Sequence, residues 1–331
     1  MYILGIESSC DETSASIVEA DTKTIKSNIV ASQIDVHRLY GGVVPEIAGR
    51  AHIEAVSRVV REALTEANIG IKDVECVAVT AFPGLIGALL VGVNFAKSLA
   101  FSENIPLVAV NHVKAHTAAA YLTDKTLETP FLSVVVSGGH TSIYKVNDPT
   151  DFVEIGSTRD DAAGEAFDKI ARVIGLPYPG GAALDKLAYT GDASKIKFPS
   201  PAMKNSLDFS FSGLKTAALN YINGERQKGV EPVAADVAAA YTKAITEGIA
   251  EKVGEALSLT GLKNLVLAGG VAANSHLRAR IGEICEKYGA KLTVPPISLC
   301  GDNAAMVAMA GYFEYLNENF ADTSLNASAT E

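Results

Sequence analysis

LGIESSCDETSASIV (residues 4–18) and LSVVVSGGHTSIYKV (residues 132–146) follow one plan. Each runs from an apolar segment through a short Ser, Gly or acidic turn into a second segment of β-branched and small residues. Such residues fit a pleated, half-buried surface, and the turn residues break the strand, so each stretch reads as a β-hairpin. Two such hairpins more than a hundred residues apart make a weak internal repeat. The repeat predicts an α/β protein of two similar lobes, each opening with a hairpin whose turn faces a shared cleft.

Working outward from the first hairpin, strands are expected at 2–8, 14–20, 28–34, 76–81 and 106–111. Between them, residues 43–69 carry Ile47, Val56, Val59, Val60 and Leu64 at helical spacing, and Asn68 and Gly70 end the run. A second, largely buried helix is expected over 85–103. From the second hairpin, strands follow at 131–139, 141–146 and 152–157, then helices at 163–175, 181–190, 213–223 and 233–260. A strand over 264–270, a helix over 274–288 and a last helix over 302–318, packed back on the first lobe, complete the chain. The expected division is residues 1–116 with 296–322 as one lobe and 117–295 as the other. The small, polar residues 323–331 are expected to fray as a flexible tail.

With 331 residues, 48% hydrophobic, 20% charged and 28 glycines, the composition is that of a globular α/β chain able to bury a sizeable core. The net charge of −10 argues against a protein that grips nucleic acid unaided over a wide surface, because phosphate contacts need Lys and Arg. Either the substrate is small, or a basic patch or partner subunit does the gripping. The four cysteines (Cys10, Cys76, Cys285, Cys300) are scattered without C-x-x-C spacing, which points to a reducing cytoplasm. MYILGIESS begins a strand at once and predicts no secretory signal. LIGALLVGVNFAKSLAF (85–101) carries Asn94 and Lys97 and reads as a buried helix in preference to a membrane span.

Three glycine turns carry candidate binding chemistry. In Ser137-Gly138-Gly139-His140-Thr141 the backbone can approach a ligand closely and its amides can converge on an anion, although a tight hairpin turn explains the pair equally well. NLVLAGGVAANSHLRARI (264–281) runs strand, Gly-Gly, helix, which places amides where a phosphate or ribose binds. It matches neither a G-x-G-x-x-G fingerprint nor a P-loop, and Asn274 can either cap the helix or touch a nucleotide. Pro179-Gly180-Gly181 precedes a helix holding Asp185. Together the three turns favour a nucleotide cleft.

Asn111-His112-Val113-Lys114-Ala115-His116 puts two imidazoles four residues apart on one helix face, able to hold one metal, although two packed histidines in an Ala-rich helix give the same pattern. Asp302, at the start of the last helix, is the best third ligand. Two His and a carboxylate leave open positions on zinc or Fe(II). Of the remaining acids, Asp11 and Glu12 lie in the first hairpin turn. Asp161 and Glu165 are spaced to share a helix face, with Asp168 three further on. Asp160 reads as an acid favoured by a helix dipole, and Asp168 as functional.

At this point the chain resembles the bacterial TsaD family. GIESSCDETSASIV, GGVVPEIAGRAH, NHVKAHTAAAYL, VVSGGHTSIYKV, STRDDAAGEAFDKIARVIGLPYPGG, FSFSGLKTAA and LAGGVAANSHLR follow in the family's order across residues 1–312. The resemblance implies an actin/Hsp70-like (ASKHA) fold with a ribonuclease-H-like core in each lobe. It implies transfer of threonylcarbamoyl from threonylcarbamoyl-AMP to the exocyclic amine of the adenosine beside the anticodon, in tRNAs reading codons that begin with A. By the same analogy His112, His116 and Asp302 bind Fe(II) or zinc. Val135, Val136, Ser137, Gly138 and Gly139, with Asp168, Gly181, Asp185 and Asn274, hold the adenylate or ATP/ADP. TsaB and TsaE are the implied partners, a TsaC-type enzyme supplies the adenylate, and no membrane is involved. A partner-built surface also answers the charge puzzle. Asp11 and Glu12 are the catalytic candidates, to orient the amine or take its proton. Two departures from the family pattern are Phe82 before Pro83, where Gly is usual, and Gly301 before Asp302, where Thr is usual; the second puts support of the metal in question. The competing readings are a metallopeptidase, the activity once attached to this family as O-sialoglycoprotein endopeptidase, and a non-catalytic ATP-binding regulator. The first lacks the Glu of H-E-x-x-H, since Val113 stands there.

Overall fold

A computed structural model describes residues 1–330. They form two compact units, the first of residues 1–128, 148–151 and 295–331, with Glu331 itself outside the described residues, and the second of 129–147 and 152–294. The first unit contains β1 (Tyr2–Glu7), β2 (Glu12–Glu19), β3 (Thr24–Ser32), α1 (Ile34–Arg38), α2 (Pro45–Ala67), β4 (Val74–Phe82), α3 (Ile86–Glu103), β5 (Leu107–Asn111) and α4 (His112–Thr123). The second contains β6 (Phe131–Val136), β7 (Thr141–Asp148), β8 (Asp151–Ser157), α5 (Ala163–Val173), α6 (Gly181–Ala188), α7 (Ser212–Gln227), α8 (Ala234–Thr260), β9 (Asn264–Ala268), α9 (Ser275–Tyr288) and β10 (Lys291–Thr293). The chain then returns to the first unit with α10 (Ile297–Cys300) and α11 (Ala304–Leu316).

The repeat read from the two hairpins is carried by topology. The first sheet has the order β3-β2-β1-β4-β5, and the second, β10-β9-β6-β7-β8, is the same order counted from its own hairpin. In each, the opening hairpin is antiparallel (β1 with β2, β6 with β7) and the next strand joins parallel to the first (β4 to β1, β9 to β6). A three-residue strand such as β10 is too short to leave a period-2 signature, and the sequence reading omits it.

Period-2 alternation distributes the first unit's core between two layers. Leu4, Ile6, Val77 and Val79 face α2 and α3, meeting Val56, Val59, Val60 and Ala63 and then Val93 and Ala96. Ile3, Cys76, Ala78, Val108 and Val110 face the other way, onto Ala115 and Ala119 of α4 and Ala305 to Ala308 of α11. Each fully buried Val or Leu contributes about 1.5–3 kcal/mol relative to its exposed state. α3 is the one described helix long and apolar enough to cross a membrane, and its Ala88, Leu89, Val93 and Ala96 are wholly buried against α2 and β4. Only 33% of the helix is buried, however, and Ile86, Leu90 and Phe101 are exposed, so the largely buried helix expected from the sequence is instead a helix covered on one face. α11 approaches the sheet unusually closely. A Cβ on Gly5 would lie 2.2 Å from the Ala304 carbonyl oxygen, so only glycine permits this contact. Ser14 adds to it by accepting from the Ala304 amide (2.9 Å).

Described residues at and just before the tail are paired with the first unit. Ala321 donates to the Leu107 carbonyl (2.8 Å), Lys97 Nζ donates to the Leu325 carbonyl (2.8 Å), and Ser328 donates to the Ala81 carbonyl (2.9 Å). Leu325 and Ala327 pack on the α2/α3 core, so a few small apolar residues and backbone pairing fix a segment that looks merely polar.

Candidate metal centre and glycine-lined turns

β5 passes into α4 without a loop. Asn111 ends the strand and caps the helix, its Oδ1 accepting from the Lys114 amide (3.0 Å), which puts His112 at the first helical position and His116 one turn on. The two rings stand 4.9 Å apart at 76°. Asp302 comes from the opposite end of the chain, in the short link between α10 and α11. Its neighbour Asn303 caps α11 by accepting from the Met306 amide (3.1 Å), and the Gly5 and Ser14 contacts hold that helix end against the sheet. Asp302 Oδ1 consequently lies 3.6 Å from His112 Nε2 and 3.3 Å from His116 Nε2. One ligand atom from each residue falls within 4.8 Å of the others.

The donor set fits a divalent ion. Both imidazoles are buried, and neither ring nitrogen of His116 has a hydrogen-bond partner; the 3.3 Å approach to Asp302 lacks hydrogen-bond geometry. An orphaned buried nitrogen costs about 1–3 kcal/mol, and a cation accepting its lone pair removes that cost. Two His and one carboxylate, with positions left open, suit zinc or Fe(II).

Negative charge collects around the cluster. Burial opposes a charge on His112, yet Asp302 and then Glu7 carry its pKa up to about 9. Glu7, wholly buried at the end of β1, is likewise opposed by burial, but the His112 imidazolium beside it holds its carboxyl below the usual range. Glu12 is pushed up to about 9 by burial and by the carboxylates of Asp302 and Asp11, while Ser32 Oγ donates to its Oε1 (3.0 Å). Asp11 is also buried, and its carbonyl accepts from the Gln33 amide (3.0 Å). Burial and Asp11 together keep the Cys10 thiol protonated. All four cysteines are free. Gly301 has open space where a side chain would begin, and Asn303 Nδ2 donates to its carbonyl (2.9 Å). Phe82 packs into the α2/α3 core.

The glycine turns belong to the second unit. Val135 and Val136 are buried in β6, and the turn after them closes with Ser137 N donating to the His140 carbonyl (2.8 Å). A Cβ on Gly138 or Gly139 would meet no atom within 4 Å. Gly269 is different. Its φ is +91° and a Cβ would sit 2.4 Å from the Val136 carbonyl oxygen, so it must be glycine to let the β9 turn press on the β6 turn.

Several predicted ligands carry structural bonds. Asp168 Oδ1 accepts from the Gly180 and Gly181 amides (2.8 and 3.0 Å), clamping the start of α6. Asp185 accepts from Ser275 N (3.1 Å) and Ser275 Oγ (2.8 Å), and its other oxygen lies 2.8 Å from His276 Nδ1. Asn274 caps α9, its Oδ1 accepting from Leu277 N (2.8 Å). Asp160 accepts from Ser210 and Ser212 hydroxyls and from the Phe211 and Ser212 amides at the start of α7. The expected shared face of Asp161 and Glu165 is corrected: α5 begins at Ala163, so Asp161 precedes it and pairs instead with Lys215. Sequence reasoning missed Glu7, Ser9 and Thr80 around His112. The available signal was an acidic residue ending an otherwise apolar strand, YILGIE.

A family model described as TsaD, tRNA N6-adenosine threonylcarbamoyltransferase, matches residues 24–309. This chain belongs to the TsaD family. It is 49% identical over 325 residues to the tRNA N6-adenosine threonylcarbamoyltransferase of Clostridioides difficile, covering 98% of this chain and 96% of that one. With the Moorella thermoacetica protein of the same name it shares 52% over 326 residues, covering 98% and 95%. TsaD membership makes the chain a transferase that threonylcarbamoylates tRNA adenosine, and it disfavours the peptidase and regulator readings. Among solved structures, HypF of T. kodakarensis aligns with a TM-score of 0.65 at 16% identity, over 98% of this chain and 49% of that one. The Acidaminococcus fermentans (R)-2-hydroxyglutaryl-CoA dehydratase component A gives 0.56 at 16%, over 95% and 99%. These likenesses establish the two-lobed, actin/Hsp70-like α/β fold that TsaD was expected to have.

Proposed function

We propose that the chain transfers threonylcarbamoyl from threonylcarbamoyl-AMP to N6 of the adenosine beside the anticodon in tRNAs reading codons that begin with A. The observation that carries this reading is the convergence of His112, His116 and Asp302, in a TsaD chain, beside the acidic β1–β2 turn. In the reaction the N6–carbonyl bond forms, the carbonyl–phosphate oxygen bond breaks, AMP leaves, and the N6 proton passes to a carboxylate. Asp11 and Glu12, in the acidic β1–β2 turn, are the two carboxyl groups assigned to take that proton and to orient the amine. His112, His116 and Asp302 would hold Fe(II) or zinc. When bound, the ion supplies Lewis-acid polarisation of an acyl or phosphoryl oxygen. In the second unit, Gly138 and Gly139 offer backbone without side chains to the adenylate phosphate, beside the Ser137 hydroxyl, and the clamped turns at Gly181 and Asn274, with Asp168 and Asp185, bound the nucleoside.

TsaB and TsaE assist in this reading, a TsaC-type enzyme makes the adenylate, and the cytoplasm, with reduced thiols, is the compartment. The partner-built surface is supported by where the basic residues go. Lys215 pairs with Asp161, Arg280 with Glu247 and Glu283, and Arg278 Nε donates to the Ala272 carbonyl (2.5 Å), so these three basic side chains are already engaged within the chain. The deciding experiment reconstitutes the reaction with threonine, bicarbonate, ATP, tRNA and the partner proteins, and reads nucleosides by mass spectrometry. Threonylcarbamoyladenosine is expected. Its absence, with partners shown to be active alongside a known TsaD protein, overturns the reading.

A further inference from the structure

The Nδ1 side of His112 is as closely built as its Nε2 side, and the proposed reaction makes no use of it. Glu7 lies there, 0% exposed, at the end of a core strand. A buried carboxylate costs several kcal/mol unless its oxygens are satisfied. Here three donors converge: Ser9 N on Oε1 (2.5 Å), and Thr80 Oγ (2.7 Å) and His112 Nδ1 (3.0 Å) on Oε2. Thr80, from the neighbouring parallel strand β4, holds Oε2 in place, and Ser9 follows Glu7 in the turn. Ser9 Oγ also lies 3.1 Å from Nδ1. An ionised carboxylate can only accept, so a hydrogen bond to Nδ1 requires the proton to be on that nitrogen. A neutral imidazole protonated at Nδ1 has its lone pair at Nε2, the atom that faces Asp302.

We infer that Glu7 is a positioning residue, which fixes the proton of His112 on Nδ1 and so aims the Nε2 lone pair at the ion. The assignment rests on the reading of this cluster as a metal centre. It gives the two imidazoles different characters. His112 is oriented from behind by a carboxylate, as metal-binding histidines generally are, whereas His116 has no hydrogen-bond partner on either nitrogen. It also adds charge: with neutral imidazoles, Glu7 supplies a negative charge behind His112 in addition to that of Asp302.

The test uses the full chain stripped of metal. Co(II) is titrated in competition with a chelator into the wild type and into Glu7→Gln, which keeps the shape and removes the charge. The variant is expected to hold Co(II) about 10–100-fold more weakly, with circular dichroism unchanged. Equal affinity, with or without a lower melting temperature, overturns the assignment and leaves Glu7 as a fold-stabilising partner only. A second measurement needs no substitution. In zinc-loaded wild type with ¹⁵N-histidine, the His112 signal, identified by its loss in His112→Gln, should report a protonated Nδ1 and a metal-bound Nε2; zinc on Nδ1 overturns the assignment. Failure of the wild type to hold either ion overturns the metal reading itself, an outcome distinct from equal affinities in wild type and variant.

Discussion

Among the described residues His116 has both ring nitrogens buried without a hydrogen-bond partner, and Glu12 is a carboxyl whose charge burial and its neighbours oppose. Replacing His116 by Ala or Asp302 by Asn should weaken Co(II) or zinc binding by more than the roughly 10–100-fold typical of an outer partner, read by chelator competition, while the metal-free chain stays folded. Titration gives a second expectation, again for the metal-free chain. Glu12 and His112 have folded pKa values of about 9 against ordinary values of 4.5 and 6.5. Groups raised in this way contribute stability that is complete below the unfolded value and drains away as pH rises through the folded one. Glu7, lowered from 4.5, acts oppositely and loses its contribution only in acid. The melting temperature should therefore fall from about pH 4.5 upward as Glu12 contributes, and more steeply between about 6.5 and 9 where His112 adds to it. Glu12→Gln should flatten the slope across the whole range; an equal slope would show that Glu12 is not held neutral.

Elements were legible where a period or a cap was written into the residues, and illegible where distant groups decided the outcome. α2 follows its apolar spacing and stops where Asn68 takes a left-handed conformation, as the Asn68/Gly70 signal indicated. The α4 histidines share a face because Asn111 fixes where that helix begins, a reading open to sequence alone. No local pattern could show that Asp168 would be drawn onto the Gly180 and Gly181 amides, that Asp160 would receive the start of α7 from fifty residues away, or that Glu7 would stand behind His112. Those pairings exist only after the strands and helices have been brought together. The glycine turns separate two roles that look identical in sequence. Gly269→Ala meets both an unfavourable φ and the Val136 carbonyl, and should cost about 1–3 kcal/mol or more in denaturant unfolding. Gly138→Ala meets nothing in the protein, so stability should be unchanged while adenine-nucleotide affinity drops roughly tenfold, about 1.4 kcal/mol, by calorimetry. Unchanged affinity would remove that turn from the nucleotide site.

For the molecule as a whole, the matching strand orders of the two sheets explain why a repeat of two short hairpins could foretell the fold, and family membership explains why seven ordered motifs could foretell the activity. Chelator treatment should abolish tRNA threonylcarbamoylation, with recovery on adding back Fe(II) or zinc, and a glycoprotein substrate should remain uncut in either state; full activity in a metal-stripped, metal-free assay would contradict the metal role. The closeness of Asp302 to the two histidines has a further result for biosynthesis. The imidazoles leave the ribosome early, but the carboxylate that completes their set is translated more than half the chain length later and is seated only when α11 docks through its close contact with Gly5. If the three hold an ion as proposed, a nascent or prematurely terminated polypeptide would present at most two of these three donors, and the third would be added only once the final helix has found its place.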